Sequence, residues 1–126
     1  SQTFFLTTHN HSLKLAAHPK RGRGVYATKT IPANTLVDIS PILFFTPEEY
    51  QAHGRHTILD HYTYKWQNGS MALALGLGSL FNHSSRCQNV GFIRDFEHSC
   101  IKYYTLRDIQ PEQELFISYG DHLWFD

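Results

Sequence analysis

Short segments in which apolar and polar residues alternate run along most of the chain. They are rich in β-branched and aromatic residues, which favour strands. The predicted strands cover residues 13–17, 24–27, 35–39, 42–45, 90–94, 101–105 and 115–118. The segments 90–94 and 101–105 are close enough in sequence to form an antiparallel hairpin through residues 95–99. The chain is therefore predicted to be mainly β.

One helix start is well marked in the sequence. Thr46 can cap the helix, Pro47 suits its first position, and Glu49 completes a capping box. This helix should end near Gly54. A second short helical or turn segment is predicted at residues 75–81, where Gly76 weakens a helix but allows close backbone approach.

Two stretches of sequence echo each other, at residues 29–36 and 107–115. Each runs from an apolar residue through a proline turn into a predicted strand. Proline turns commonly precede strands in β proteins, so the likeness is equally compatible with two unrelated turns. The sequence leaves both interpretations open.

Length and composition narrow the class of protein. A chain of 126 residues fits one domain, and 41% hydrophobic with 17% charged residues is typical of a globular chain. Lys plus Arg (11) equals Asp plus Glu (11), so no overall charge favours nucleic acid or a membrane surface. The two cysteines suit a reducing compartment, and the nine histidines have no zinc-binding spacing. We therefore expect no metal, no membrane span and no signal peptide.

Three segments could carry chemistry. The turn from Lys20 to Tyr26 has a Gly-x-Gly pattern that can present backbone groups to a ligand, although most such turns are only turns. Asn82 and His83 follow an apolar run and need polar partners, in the core or on a ligand. Tyr119 ends a predicted strand at a glycine, where its hydroxyl could orient a substrate or simply pack.

In this order the three segments resemble the SET-domain family of lysine methyltransferases. That family has a Gly-x-Gly turn, an Asn-His-Ser segment and a Glu-Leu-x-x-x-Tyr strand, which match residues 22–24, 82–84 and 114–119. The resemblance extends over about residues 13–120. Residues 71–78 and the ending from Ile117 to Trp124 are most similar to the minimal SET proteins, the small viral and fungal histone methyltransferases.

The resemblance implies the fold and the cofactor. Residues 1–126 would form a single SET domain with a variable insert at about 46–66. Its fold would be a β-clip of small curved sheets with a C-terminal pseudoknot and one or two short helices. The implied cofactor is S-adenosylmethionine, which becomes S-adenosylhomocysteine. The residues implied to hold it are Arg21, Gly22, Arg23, Gly24, Asn82, His83 and Trp124. Trp124 could equally pack on the core or against a second copy.

The resemblance also implies the reaction and its residues. Tyr119 would stand between cofactor and substrate, and Tyr62 would be a second catalytic tyrosine. Tyr62, Tyr104 and Ile117 would line the lysine channel, and Tyr64 is a further, weaker candidate for it. Because many relatives have Phe or Tyr at the Ile117 position, the number of methyl groups added stays open. Acidic residues of the insert, Glu48, Glu49 and Asp60, could attract a basic tail or simply form a solvated face.

The implied function is methyl transfer to a lysine of a histone tail or of another protein. The alternatives are a non-catalytic SET-like module that binds peptide or cofactor, and a purely structural β domain. The resemblance implies a nuclear location and is compatible with a homodimer, whereas the balanced charge predicts no direct nucleic-acid binding.

Several positions depart from the family pattern. Ser79 and Ser85 replace a basic residue and a cysteine, and one extra residue precedes Asn89. Asn34 and Glu112 replace glycines in the two proline turns. If the family's left-handed backbone is kept there, Glu112 is strained.

Overall fold

The protein is described by a computed structural model, which covers residues 12–18, 20 and 22–118. The strands in this part of the chain are β1 (Leu13–His18), β2 (Gly22–Ala27), β3 (Leu36–Phe45), β4 (Thr63–Lys65), β5 (Met71–Ala74), β6 (Asn82–His83), β7 (Val90–Asp95), β8 (Cys100–Thr105) and β9 (Phe116–Ile117). Helix α1 spans Pro47–Ala52, and 3₁₀ turns lie at Gly54–His56, Ile58–Tyr62, Gln67–Gly69 and Gly76–Ser79. The prediction of a mainly β protein with few short helices is confirmed.

The strands form three small sheets. β1 and β2 make an antiparallel hairpin, β6 and β9 pair in parallel, and the largest sheet has the order β4-β5-β3-β8-β7. Its outermost strands, β4 and β7, approach each other, as a hydrogen bond between them shows: Arg94 Nε donates to the Lys65 carbonyl at 2.8 Å. The rings of Tyr64 and Phe92, also on these two strands, meet edge to face with centroids 5.0 Å apart. The large sheet is therefore strongly curled around a buried core.

Residues 35–39 and 42–45, predicted as separate strands, form the single strand β3. Residues 36–41 pair with β8 and residues 42–45 pair with β5. Pro41 lies where β3 changes partner, and its carbonyl accepts the Leu75 N–H at 2.8 Å. A proline without an N–H is tolerated at this junction because the ladder is interrupted there. The short strands β4, β5 and β6 were not predicted.

Helix α1 begins as predicted. Thr46 Oγ1 accepts the Glu49 N–H at 3.1 Å, and Glu49 Oε1 accepts the Thr46 N–H at 3.0 Å, which completes the capping box. The helix ends at Ala52, close to the predicted Gly54. The second predicted helical segment is the single 3₁₀ turn Gly76–Ser79.

The two echoing stretches pack against each other with approximate twofold symmetry. Ile31 and Ile109 exchange backbone hydrogen bonds, both 2.8 Å long. The Asn34 N–H donates to the Thr105 carbonyl and the Glu112 N–H donates to the Ala27 carbonyl, again at 2.8 Å. Asn34 follows Ile31 at the same spacing as Glu112 follows Ile109. Their acceptors, Thr105 and Ala27, likewise precede Ile109 and Ile31 at equal spacing. The likeness between the stretches therefore has a structural basis.

The left-handed backbone of both turns is kept without glycine. Asn34 has φ 62° and Glu112 has φ 67°. Asparagine tolerates this conformation, whereas a residue such as glutamate loses about 1 kcal/mol or more. Lys14 Nζ lies 2.7 Å from Glu112 Oε1, but both side chains are well exposed, so the ion pair offsets little of this cost.

Replacing Glu112 with glycine should relieve this strain. We expect Glu112→Gly to be about 1 kcal/mol more stable to urea than Glu112→Ala, because both lose the ion pair and only alanine keeps the strained Cβ. Equilibrium urea unfolding of the two variants measures the difference. Asn34→Gly should have a smaller effect, and equal stability of the two Glu112 variants would contradict the argument.

Candidate functional site

The Gly-x-Gly segment lies against the chain that leads into β9. The Leu115 N–H donates to the Val25 carbonyl at 2.8 Å, and Tyr26 forms an antiparallel bridge with Glu114. A Cβ at Gly24 would lie only 2.5 Å from Glu114 Oε2. Gly24 is therefore required by close packing. Gly22 has φ 82° and nothing within 4 Å of a Cβ position, so its requirement is conformational.

The Asn82 side chain joins the two segments. Its Nδ2 donates to the Arg23 carbonyl at 2.8 Å and to Glu114 Oε2 at 2.7 Å. Its Oδ1 accepts from Arg23 Nη1 at 3.3 Å. Arg23, Gly24, Asn82 and Glu114 together are called the Asn82 junction below. This junction brings together three segments that are far apart in sequence.

The chain crosses itself beside this junction. The Ile117 carbonyl accepts the Ser84 N–H at 2.9 Å, and the Phe116 carbonyl accepts the Asn89 N–H at 3.1 Å. Successive carbonyls of an extended strand point to opposite edges, so β9 lies between Ser84 and Asn89. Residues 84–89 therefore cross β9, which is the knot-like arrangement that the resemblance implied.

Asn89 holds this crossing in place. It is 1% exposed, its Nδ2 donates to the Glu114 carbonyl at 2.9 Å, and its Oδ1 accepts the Phe116 N–H at 2.8 Å. Its own carbonyl accepts the Leu106 N–H at 2.9 Å. One buried amide thus satisfies backbone groups that would otherwise lack partners where irregular strands meet.

The structure brings most of the predicted cofactor residues together. Gly22, Arg23 and Gly24 lie in β2, and Asn82 lies at the junction. His83 is the next residue of β6, exposed and paired with Ile117. Arg21, Tyr119 and Trp124 lie outside the described residues, and their roles stay predictions.

The predicted channel residues belong to three different elements of the fold. Tyr104 is half-buried on β8, where it pairs with Leu36 at the start of β3. Tyr62 ends the 3₁₀ turn before β4, next to Thr63, which pairs with Leu73 opposite the far end of β3. Ile117 is fully buried in the core beside the Asn82 junction. The curl of the sheet brings β4 close to β7, on which Gly91 pairs with Tyr104. A channel shared by Tyr62 and Tyr104 stays a prediction.

Sequence reasoning missed the structural roles of two polar residues. Glu114 is 8% exposed and Asn89 is 1% exposed, yet both side chains belong to the site. Their signal in the sequence is a polar residue directly before an apolar strand, since a buried polar group needs partners. That signal does not identify the partner, because Asn82 is distant in sequence.

The junction combines charges of both signs with polar peptide groups. The Arg23 guanidinium is half-buried and also donates from Nη2 to the Ser79 carbonyl at 3.2 Å. The buried Glu114 carboxylate accepts from Asn82. Such a place can hold a small ligand that itself carries both an ammonium and a carboxylate group. Among the described residues, no three His, Cys, Asp or Glu side chains are grouped as metal ligands.

An open aromatic groove lies at the two ends of the insert. It has a volume of about 320 Å³. Its lining residues are Phe44, Phe45, Thr46, Pro47, Trp66, Gln67, Asn68, Ser70, Phe96 and Ser99. Trp66 makes edge contacts with Phe44 and Phe96, whose centroids lie 5.9 and 4.9 Å away. None of the residues of the Asn82 junction lines this groove.

The acidic residues of the insert have local partners. Glu49 belongs to the capping box, and Asp60 Oδ1 accepts the Tyr50 hydroxyl at 2.6 Å. This hydrogen bond raises the pKa of Tyr50 above its ordinary value. Glu48 is exposed in the first turn of α1. For Glu49 and Asp60, a structural role is therefore evident.

Comparisons with known proteins agree with this geometry. The SET domain profile matches residues 22–120. A Schizosaccharomyces pombe protein named histone-lysine N-methyltransferase, H3 lysine-37 specific, is 52% identical over 114 residues, covering 90% of this chain and 77% of the relative. The chain therefore belongs to the SET domain family.

Solved structures share the fold. A Plasmodium falciparum protein described as a histone methyltransferase matches with a TM-score of 0.73 at 26% identity, covering 91% of this chain and 98% of that one. The Cryptosporidium protein CpSET8 matches with a TM-score of 0.68 at 20% identity, covering 86% of this chain and 57% of that one, which shows the fold alone.

The predicted enzyme class, a protein-lysine methyltransferase, is confirmed by the family and the relative. In the part of the chain that the structure covers, no helix could span a membrane.

The hydrogen bonds of Asn82 predict the effect of adding a charge. Asn82→Asp replaces the donor facing Glu114 with a second carboxylate, and should cost about 2–3 kcal/mol at pH 7. When two carboxylates lie side by side in the folded protein, the pKa of one of them rises. The folded state then binds a proton that the unfolded chain does not bind at the same pH. The deficit relative to the wild type should therefore shrink as the pH falls towards 5.

Urea unfolding at pH 7 and pH 5 measures this deficit. Asn82→Ala is the control, because it removes the same bonds without adding charge, and its deficit should change less with pH. Combining Asn82→Asp with Glu114→Gln restores one donor and should recover part of the loss. A pH-independent deficit in Asn82→Asp would show that the two side chains do not share a proton.

Proposed function

We propose that the protein transfers a methyl group from S-adenosylmethionine to a lysine of histone H3. The observation that supports the cofactor site most strongly is the convergence of Arg23, Asn82 and Glu114 at one junction. The proposed target is lysine 37, because the relative of that specificity is 52% identical to this chain. A non-histone lysine substrate is the nearest variant.

The chemistry of the junction fits the amino-acid end of S-adenosylmethionine. Gly22 leaves open space beside a left-handed backbone, where peptide groups can face a ligand. The Arg23 guanidinium can balance a carboxylate, and backbone carbonyls near Asn82 can accept from an ammonium group. When bound, the cofactor supplies an electrophilic methyl group. Arg21, His83 and Trp124 remain proposed members of this site.

The proposed role of the tyrosines is to orient the attacking amine. Free lysine has a pKa of about 10.4, so the channel must favour its neutral form. Apolar side chains such as Ile117 disfavour the charged amine, and the hydroxyl of Tyr119 can accept its N–H and align it. The lysine ammonium would first lose a proton to solvent. The neutral amine would then form the new C–N bond as the C–S bond to the methyl group breaks, which leaves a methylammonium and S-adenosylhomocysteine. Tyr62 is proposed as the second tyrosine, with Tyr104 as a weaker candidate.

The aromatic groove is the proposed docking surface for the histone tail. It lies where the variable insert joins the sheet, and Phe44 and Phe96 are 47% and 44% exposed. Exposed aromatic rings beside polar groups are typical of peptide-binding surfaces. Trp66 lies between the two rings and supports both.

We further propose a nuclear location and a homodimer. A histone substrate implies the nucleus. Leu43 and Ile58 are 57% and 71% exposed, and a second copy of the chain would bury such large apolar side chains. The balanced charge of the chain favours protein over nucleic acid as its partner. Sedimentation velocity at several concentrations reports the oligomeric state.

A methylation assay separates the enzyme from a non-catalytic binding module. The protein is incubated with labelled S-adenosylmethionine and an H3 peptide spanning lysine 37. We expect labelling of this peptide, none of the peptide with that lysine changed to arginine, and a loss of about 100-fold or more in Tyr119→Phe.

The outcomes of this assay distinguish the proposals. Labelling of other H3 lysines would reject the specificity but keep the activity. Cofactor binding with no transfer to any histone or other protein would favour the non-catalytic module. Equal activity of Tyr119→Phe would remove Tyr119 from its proposed role.

A second experiment tests the groove. Phe96→Ala should raise KM for the histone peptide about fivefold without changing KM for S-adenosylmethionine, because it removes exposed apolar surface from the docking site. Leu106→Ala is the matched control, since Leu106 is 39% exposed and does not line the groove. The same effect in both variants would argue against docking at the groove.

A further inference from the structure

A buried hydroxyl lies next to the 3₁₀ turn Gly76–Ser79. Ser40, on β3, is fully buried. Its Oγ accepts the Gly78 N–H at 3.0 Å and donates to Asp38 Oδ2. A Cβ at Gly78 would lie 2.7 Å from this Oγ and 2.6 Å from the Tyr103 hydroxyl. The turn therefore sits against the sheet with no space for a side chain.

The other side of Gly78 is held by two tyrosines. The hydroxyls of Tyr64 and Tyr103 lie 2.8 Å apart, and both residues are buried. The Tyr64 hydroxyl also points at the Gly78 carbonyl, at 3.5 Å. Side chains from three strands, β3, β4 and β8, thus converge on the backbone of one residue, Gly78. The position of this buried turn is therefore fixed by the side chains around Gly78.

The turn is directly connected to the Asn82 junction. The Ser79 carbonyl, one residue after Gly78, accepts from Arg23 Nη2 at 3.2 Å. The other terminal nitrogen of Arg23 bonds Asn82 Oδ1. Ser79 Oγ donates to the Ala74 carbonyl, which ties the turn to the end of β5. The orientation of the Arg23 guanidinium therefore depends on where Gly78 and Ser79 are held.

We propose that Ser40 is a positioning residue for the cofactor site, which it orients through Gly78, Ser79 and Arg23. The inference rests on the proposed use of Arg23 and Asn82 in cofactor binding. Ser40 itself touches neither of them in this chain of contacts. Without its hydroxyl, the Gly78 N–H loses its acceptor and the turn can shift away from β3. Burial raises the pKa of Asp38, and the hydrogen bond from Ser40 partly offsets this rise. Removing the Ser40 hydroxyl therefore also removes a donor that favours the charged form of Asp38.

The test compares two buried hydroxyls of the same sheet. Ser40→Ala removes the one that holds Gly78. Thr105→Val removes the matched hydroxyl on β8. The Oγ1 of Thr105 donates to the Pro32 carbonyl and accepts the Thr35 N–H, in the first of the two proline turns. Both should lower thermal stability by similar amounts, since each loses one donated and one accepted bond.

Only Ser40→Ala should weaken the cofactor site. We expect its Kd for S-adenosylhomocysteine, measured by calorimetry, and its KM for S-adenosylmethionine to rise about fivefold or more, with KM for the peptide unchanged. Ser40→Cys, which keeps a weak acceptor of similar size, should fall between the wild type and Ser40→Ala. If Ser40→Ala does not fold, Ser40→Cys carries the test alone.

Two results would overturn the proposal. One is a Kd within twofold of the wild type in the folded Ser40 variants. The other is an equal rise in Kd in Thr105→Val, which would indicate a general loss of stability. If the wild type binds no S-adenosylhomocysteine, the proposed cofactor fails instead. Backbone NMR shifts at Arg23 and Asn82 then decide independently whether Ser40 positions them, and unchanged shifts would reject it.

Discussion

The structure depends on one side-chain amide that satisfies three segments at once. Asn82 donates to the backbone of β2 and to the carboxylate that precedes β9, and it accepts from Arg23. An apolar residue of the same size would remove all three of these hydrogen bonds from a partly buried place, where a lost bond is expensive. The close approach at Gly24 is possible only because no side chain stands there. The same contacts that close the fold thus also shape the proposed cofactor site.

The chain reaches this arrangement through two constraints of topology. The Ile31–Ile109 pair and its two left-handed turns tie an early segment to a late one. The crossing of residues 84–89 over β9 then holds the late segment beside β6. Asn89 provides the hydrogen bonds that irregular backbone requires at the crossing. Long-range contacts of this kind hold the site, while local elements supply little of it.

Much of the fold was predictable where local chemistry is decisive. The capping box at Thr46 and Glu49, the β7–β8 hairpin and most long strands follow from patterns of a few residues. Short strands such as β5 were missed because Met71–Ala74 has no strand-like alternation that a short window can detect. Strand β3 was divided at Pro41 because a proline, which has no N–H, usually interrupts a strand, whereas here it lies where the strand changes its pairing partner. The positions of Tyr62 and Tyr104 likewise depend on strand register.

The sequence by itself determined the resemblance to the family and the order of the three motifs, and that resemblance predicted that Gly22, Arg23, Gly24 and Asn82 belong to one cofactor site. Residue type and chain order are enough for that, because the chemistry of each motif is local. Only the tertiary structure decided that Asn82 bonds Glu114, that Asn89 spans the crossing and that Ser40 holds Gly78. These pairs are distant in sequence, and their contact depends on how the curled sheet and the crossing strand pack together.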